Sequence, residues 1–517
     1  MSVTALELEE RTEGKNLYSY QRGAINKIFK CFEDAPEDYH LLYQLPTGGG
    51  KTVIFSEIVR QYLKHHKKQV LVMTHRIELC KQTSNMLSEF GVTNKVIDSK
   101  ADLSDQGNYN CFVAMVETLN NRLTDNKLDI SDIGLVIIDE AHYNSFTKLF
   151  KFFEKSFILG VTATPLSSNI NLPMKDNYNE LIVGETIQSL IENEFLARAE
   201  VFSYNVGLTS LVVGANGDYT VKSSEDLYTN TDMLTKLIQA YEERCKGKKT
   251  LIFNNGINTS LHVYDTFRRA GYPIAHLDNN NSKKERKAIL KWFKETPDAI
   301  LTSVSILTTG FDEPTVDCIV LNRATKSLTL YYQMIGRGSR ILKNKSKFTV
   351  IDLGNNLHRF GPWGSDLDWQ KIFRSPNFYL DGILSDEDLE ENFRYEMPEA
   401  VRAEFAKSED VYFDIKKNYI ASIRNGESSK VILERSIQHH AKICIENSED
   451  LWDALALAKL LGDDIDFRIQ RYTKCISKST FNFVEWLKDD YRKKLNAYLR
   501  TNFDEVFEEI HGFPPED

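Results

Sequence analysis

Three consecutive glycines followed by Lys and a hydroxyl residue, in the stretch Gln44-Leu-Pro-Thr-Gly-Gly-Gly-Lys-Thr52, limit what this chain can fold into more than any other feature. Glycines there let backbone N–H groups converge on an anion, Lys51 reaches terminal phosphates, and the Thr52 hydroxyl is placed for Mg²⁺. Such a loop works only between a strand and a helix whose first amides face the anion. His40 to Gln44 reads as a short buried strand and Val53 to Leu63 as a helix, so the order fits. The strict loop pattern has a glycine where this chain has Leu45, and a glycine-rich surface turn is the competing reading. A plain turn has no reason to end in Lys-Thr at a helix start. Thr47, Gly48, Gly49, Gly50, Lys51 and Thr52 are therefore the expected phosphate contacts, and the site is one for a nucleotide.

Around this loop the chain alternates short apolar runs with amphipathic segments. Val70 to Met73, Phe112 to Met115, Ile133 to Ile138 and Phe157 to Val161 are the fully apolar strands a parallel sheet covered on both faces requires. A second series, Thr250 to Phe253, Ala299 to Thr302, Cys318 to Leu321 and Phe348 to Leu353, repeats the pattern without a second phosphate loop. Two α/β units with one loop imply that the second unit completes the site on the first. The expected organisation is a leader over 1–14, a nucleotide-binding α/β domain over 15–194, a second α/β domain over 195–360 and a mostly helical region over 361–517. The last is read from three-to-four spacing in Leu451, Leu455, Ala456 and Leu460, and in Phe483, Trp486, Leu487 and Tyr491.

At 517 residues, 42% hydrophobic and 27% charged, the composition excludes a disordered or fibrous chain. No apolar run is long enough to span a membrane, and the acidic start MSVTALELEE is unlike a signal peptide, so a cytoplasmic protein is expected. The seven cysteines, at 31, 80, 111, 245, 318, 444 and 475, form no CxxC pair and read as free, mostly buried thiols. A net charge of -10 argues against a protein basic all over, but eleven acidic residues against three basic ones fall between Asp381 and Asp410. The remainder is close to neutral and leaves room for a nucleic-acid groove. Lys283, Lys284, Arg286, Lys287, Lys291 and Lys294 read equally well as a phosphate-backbone contact and as a solvated helix face.

Two further motifs carry chemistry. Asp139 and Glu140 end a buried strand, where ligands of α/β sheets sit; Asp139 is suited to hold Mg²⁺ and Glu140 to orient and deprotonate a water. In Gln333-Met-Ile-Gly-Arg-Gly-Ser-Arg340, Arg337 and Arg340 share one face if the segment is helical, and from the second domain they would stabilise charge on a transferring phosphoryl group.

LPTGGGKT, Asp139-Glu-Ala-His142, Thr162-Ala-Thr-Pro165, Leu307-Thr-Thr-Gly-Phe-Asp-Glu-Pro314 and QMIGRGSR are together similar, in order and spacing, to the motor motifs of superfamily 2 helicases and translocases. The resemblance covers roughly residues 15–355, and the last two motifs look most like bacterial RadD-type DNA helicases and related restriction and branch-migration motors. It implies two RecA-like domains sandwiching ATP and Mg²⁺, with His142 of the DEAH box, Gly310 and Asp312 joining the nucleotide site. Tyr20 and Gln21 look like the adenine-reading segment, and Thr162 and Thr164 like the link between hydrolysis and domain movement. Thr74-His75-Arg76, with Thr118 and Thr308, looks like the nucleic-acid contact, and Gln333 joins Glu140, Arg337 and Arg340 as catalytic residues. Gln333 stands where RNA-remodelling DEAD-box proteins have His, and the chain lacks the cysteine-rich zinc module of RadD-type proteins. The expectation is an ATP-dependent motor acting on DNA in preference to RNA, with room for a protein partner on the helical region. An RNA helicase and an ATP-gated sensor subunit of a nucleic-acid defence complex are the alternatives.

Overall fold

The structure is a computed structural model and describes residues 17–512 apart from 37, 99–105, 126–129, 168–171, 205, 209, 216, 305–310, 312, 382, 384–396, 426 and 477–480. Every strand expected in the first series forms, because each apolar run is buried on both faces. β1 (His40–Gln44), β2 (Gln69–Thr74), β3 (Asn94–Ile97), β4 (Cys111–Met115), β5 (Ile133–Asp139), β6 (Phe157–Thr162) and β7 (Glu180–Val183) make a parallel sheet in the order β3-β4-β2-β5-β6-β1-β7. Its helices are α1 (Ser19–Asp34), α2 (Lys51–His65), α3 (Ile77–Glu89), α4 (Val116–Thr124) and α5 (Ile187–Glu192). Strand β6 lies between β5 and β1, with Gln44 opposite Thr162 and Asp139 opposite Val161. The glycine loop, the Thr162-Ala163-Thr164 turn and the Asp139–Glu140 pair thus leave the sheet from three adjacent strand ends.

The second lobe begins at β8 (Arg198–Ser203) and continues through β9 (Thr250–Asn254), β10 (Ile274–Leu277), β11 (Ile300–Ser303), β12 (Cys318–Asn322) and β13 (Lys347–Asp352), ordered β10-β11-β9-β12-β13-β8 and also parallel. It carries α6 (Val221–Tyr228), α7 (Thr231–Arg244), α8 (Ile257–Arg269), α9 (Lys283–Glu295), α10 (Leu328–Ile335) and α11 (Asn356–Phe360). One apolar cluster runs without a break from Leu42 and Ile138 in the first lobe to Leu251, Ile319 and Tyr332 in the second. Each sheet packs a separate cluster on its other face.

The chain then returns to the first lobe. Along α12 (Trp369–Arg374), Gln370 Nε2 donates to the Leu181 carbonyl of β7 at 2.7 Å, and Lys175 Nζ donates to the Arg374 carbonyl at 2.9 Å. Trp369 lies 5.9 Å from Tyr332 on α10, ring centre to ring centre, so this segment touches both lobes. With α13 (Pro376–Asp381) it belongs to the unit formed by the two sheets, and the helical unit is compact on its own only from Glu391. Most of the acidic stretch, 384–396, lies outside the described residues.

One expectation is corrected here. Cys245, at the C-terminal cap of α7, and Cys318, the first residue of β12, are joined as a disulfide rather than free, with Cα atoms 6.2 Å apart. They are 73 residues apart in sequence, so their meeting on one sheet face left no spacing signal. In the helix Leu451–Leu460 the buried residues are Ala454, Leu455, Leu457 and Ala458, which leaves Ala456 and Leu460 outside. That helix is apolar nearly all round, so periodicity identified a helix without fixing which side is covered. Phe483 and Trp486 are likewise exposed at the start of the helix Phe481–His511, whose covered stripe is Leu487, Tyr491, Leu495, Leu499, Phe503 and Phe507. Among the described residues no helix is long and apolar enough to cross a membrane.

The helical unit is closed around a polar knot. His440, on the helix Lys430–Asn447, donates from Nε2 to Asp464 Oδ2 at 2.8 Å and accepts at Nδ1 from the Tyr491 hydroxyl at 2.9 Å, while Arg468 pairs with the same carboxylate at 2.8 Å. Burial and then Arg468 push the imidazole down to about 3. An unfolded histidine takes its proton near pH 6.5, so below that pH the unfolded chain binds a proton the folded unit refuses, and stability falls as pH falls. We predict that this unit loses roughly 2 kcal/mol between pH 7 and pH 5 from His440 alone. Amide hydrogen exchange of the helix Lys430–Asn447 at the two pH values, corrected for intrinsic rates, measures it; equal opening free energies would contradict the assignment.

Candidate active site

The glycine loop takes its shape from left-handed backbone. Gly48 (φ 91) and Gly50 (φ 89) sit where side chains are strained, and a Cβ on Gly50 would fall 2.6 Å from Gln21 Nε2, one on Gly48 2.7 Å from Leu196 Cδ2. Leu45 explains the departure from the strict pattern: it is fully buried beneath the loop, against Gly49, and its carbonyl accepts from Lys51 Nζ at 3.3 Å. Burial lowers the Lys51 pKa, an effect opposed by Glu140 and Asp139. From α1, the Tyr20 hydroxyl donates to the Gly49 carbonyl at 2.7 Å, and burial pushes its pKa up to about 12. Phe195, in the connector between the sheets, packs against Tyr18 and Tyr20 with ring centres 4.4 and 5.1 Å apart.

At the end of β5, Asp139 Oδ1 accepts from the Glu140 amide at 3.0 Å, and Glu140 itself is held at φ 54. Such a conformation is costly for a non-glycine residue and persists where surroundings enforce it. Burial, then the Glu140 charge, raise the Asp139 carboxyl to about 7. Burial also works to raise Glu140, but Lys51 and then Arg337 outweigh it and hold that carboxyl below its ordinary range. Glu140 is thus the charged member of the pair, suited to accept a proton.

The second lobe meets this site through α10 and the turn after it. Gln333 Nε2 lies 3.4 Å from His142 Nε2, which makes the amide the donor and His142 the Nδ1–H tautomer. His142 Nδ1 then donates to Thr162 Oγ1 at 3.0 Å, and Thr162 to the Thr164 carbonyl at 2.9 Å. Thr164 Oγ1 closes the circuit on Thr329 Oγ1 at 2.9 Å, one turn before Gln333 on the same helix. Burial lowers the His142 pKa, so the imidazole stays neutral in this role.

Arg337 and Arg340 are not on a helical face as expected, because α10 ends at Ile335 and the chain turns through Gly336 and Gly338. The turn aims them apart. Arg340 Nη1 donates to the Gly48 carbonyl of the phosphate loop at 3.1 Å, whereas Arg337 Nη1 donates to the Phe311 carbonyl at 2.6 Å. Leu196 bridges Arg340 in antiparallel fashion, and the Ala197 amide donates to the Ser339 carbonyl at 2.8 Å, which ties the connector to the same turn.

Of the residues singled out in the sequence, Tyr20, Gln21, Thr47, Gly48, Gly49, Gly50, Lys51, Thr52, Asp139, Glu140, His142, Gln333, Arg337 and Arg340 stand at this junction. Arg76, the N-terminal cap of α3, and Thr118, in the first turn of α4, follow the ends of β2 and β4. Thr308, Gly310 and Asp312 lie outside the described residues. Thr329, Phe195 and Leu196 were not foreseen. Thr329 had a faint signal, sitting one helical turn before Gln333; the other two owe their place to the fold of the connector.

The junction fits a polyphosphate. Thr47 Oγ1 is buried without a hydrogen-bond partner and Lys51 spends its ammonium on a lone carbonyl, two donors that suit phosphate oxygens, while Glu140 Oε2, also unpartnered, is an acceptor that suits a water. Buried groups of this kind are costly unless a ligand meets them. No group of three or more His, Cys, Asp and Glu among the described residues makes an all-protein metal site, so a cation here would need the phosphates as co-ligands.

Residues 14–167 match the family described as type III restriction enzyme, res subunit, and residues 230–342 the helicase conserved C-terminal domain. A 51.5 kDa protein of a Lactococcus phage is 28% identical over 64% of this chain and 69% of its own length. IRC3 of Saccharomyces cerevisiae, named as a candidate ATP-dependent helicase, is 27% identical over 65% of this chain and 51% of its own, so the chain spans about half of that relative. The ATP-dependent type ISP restriction-modification enzyme LlaBIII, solved bound to DNA, shares the fold with a TM-score of 0.53 at 14% identity, over 96% of this chain and 43% of that one.

The geometry predicts that nucleotide binding and turnover separate by mutation. Lys51→Ala should weaken nucleotide binding and abolish turnover together, since it removes the buried cation. Glu140→Gln keeps the shape and removes the base, so nucleotide should stay bound and unhydrolysed. Equilibrium binding of a fluorescent nucleotide beside phosphate release measures both; a Gln variant turning over at the parental rate would refute the role given to Glu140.

Proposed function

The chain belongs to the superfamily 2 helicases, and from that premise we propose that it is an ATP-driven motor that translocates on or unwinds nucleic acid, with DNA as the preferred track. The observation that carries the proposal is the circuit from Gln333 through His142, Thr162 and Thr164 to Thr329, because it makes the nucleotide site a product of both lobes. Glu140 orients and deprotonates the attacking water. Arg340, already at the phosphate loop, and Arg337 stabilise charge on the transferring phosphoryl group. Thr52 and Asp139 are the residues that would hold Mg²⁺, which neutralises phosphate charge when bound. Tyr20, Gln21 and Phe195 enclose the base, and Arg76 and Thr118 contact the strand. Closing and opening of the lobes about the connector then steps the motor along that strand.

DNA is favoured by Gln333 in place of histidine and by the DNA on which the LlaBIII fold was solved. A cytoplasmic location belongs to the same reading and is supported by the five free cysteines, against which stands the single disulfide Cys245–Cys318. A protein partner on the helical unit is supported by Trp452 and Trp486, which are 72% and 57% exposed.

We predict that hydrolysis depends on nucleic acid, that DNA stimulates it more than RNA of the same sequence, and that stimulation falls steeply between about 50 and 200 mM salt as phosphate contacts are lost. Steady-state ATPase rates with no nucleic acid, single-stranded DNA, forked DNA and RNA decide it. Stronger stimulation by RNA at matched salt would overturn the choice of track, and rates indifferent to every nucleic acid would overturn the motor.

A further inference from the structure

Helix α9 carries six basic residues and two acidic ones in a protein whose net charge is -10. Helical period sorts them. Phe293 is buried and Ile289, Leu290 and Trp292 pack on the core, whereas Lys283, Lys287, Lys291 and Lys294 recur at steps of four, four and three and share one exposed face. Lys291 lies 3.8 Å from Glu295; the ammonium groups of Lys283, Lys284, Lys287 and Lys294 meet no acid among the described residues. Like charges spaced four apart destabilise a helix, so the stripe weakens the element that carries it. Ser282 and Glu285 close a capping box at the helix start, which offsets part of that loss.

Position gives the stripe its meaning. Arg286, in the first turn of α9, reaches across to Glu78 at 3.1 Å, and Glu78 lies in the first turn of α3, two residues after Arg76. The positive ends of two helices therefore meet where the strand contact of the first lobe stands. From that meeting point the lysines run along α9 for about 16 Å, at 1.5 Å per residue. Lysines four apart are about 6 Å apart along the axis, close to two phosphate steps of about 3.4 Å each.

We propose that α9 is a second nucleic-acid site, in which Lys283, Lys287, Lys291 and Lys294 follow the phosphodiester backbone beyond Arg76. The proposal rests on the motor reading above and adds a track to it. Contacts of this kind read charge and spacing rather than sequence, so the site lengthens the grip on any strand.

The test is the salt dependence of binding by the full chain. Four substitutions together, Lys283→Gln, Lys287→Gln, Lys291→Gln and Lys294→Gln, should lower the slope of log affinity against log salt by about 3, at 0.7 to 0.9 per lost phosphate contact. Fluorescence anisotropy with a labelled single strand, and with the same strand beside a duplex, reads the slope. A loss on both substrates assigns the stripe to the strand, and a loss only on the junction assigns it to the duplex. The matching four Lys→Arg substitutions should leave the slope as in the parent. Should the Gln variant melt early, Lys287→Glu alone should still lower the slope by about 1. An unchanged slope on both substrates in either variant overturns the site on α9, and so does a slope lost equally in the Arg variant. A parent chain that binds neither substrate refutes the motor reading instead.

Discussion

The grip of α10 on the first lobe, made at Thr329 and Gln333 one turn apart, is the interaction on which the remainder of the site depends. Both bonds end on residues of the proposed nucleotide site, since His142 faces Glu140 and Thr164 follows the strand between β5 and β1. Buried neutral hydrogen bonds contribute on the order of 1 kcal/mol each, so the circuit together with Arg340 on Gly48 adds a few kcal/mol to what holds the lobes. Turning a two-state equilibrium over takes about 5.5 kcal/mol of differential binding. A nucleotide that meets Thr47 and Lys51 acts on the same scale as these bonds.

That grip works because everything around it is rigid. Adjacent, parallel, fully buried strands bring the glycine loop, the Thr162-Ala163-Thr164 turn and the carboxylate pair into register, and α10 meets all of them at once. The segment around Trp369 and Gln370 adds a second tie between the lobes away from the chemistry. The connector adds a third through Leu196 and Ala197. Charge is confined where it is needed, with Glu140 kept ionised by Lys51 and Arg337 although burial opposes it.

Much of this was legible in the sequence, and the reason lies in periodicity. Strands buried on both faces must be continuously apolar, so Ile133–Asp139 and Phe157–Thr162 declared themselves, and Gly-Gly-Gly-Lys-Thr has few uses other than phosphate. Residues that act through tertiary contact were silent. Phe195 is an ordinary aromatic until the connector folds it onto Tyr18 and Tyr20, and Thr329 is one hydroxyl among many until Thr164 meets it across 165 residues. Where the pattern was degenerate the sequence left the detail open. Apolar residues all round Leu451–Leu460 hid which side is covered, and the arginine spacing left open whether the segment is helical, which the turn after Ile335 decides.

A site made by two lobes has one direct test, which is the chemical step measured apart from binding. Single-turnover hydrolysis of ATP by Arg340→Ala and by Arg337→Ala, with nucleic acid saturating, isolates what the second lobe supplies. The account predicts a rate lower by about three orders of magnitude in each, with nucleotide affinity for the first lobe little changed. A parental single-turnover rate in either variant would contradict it and place the whole of the chemistry within the first lobe.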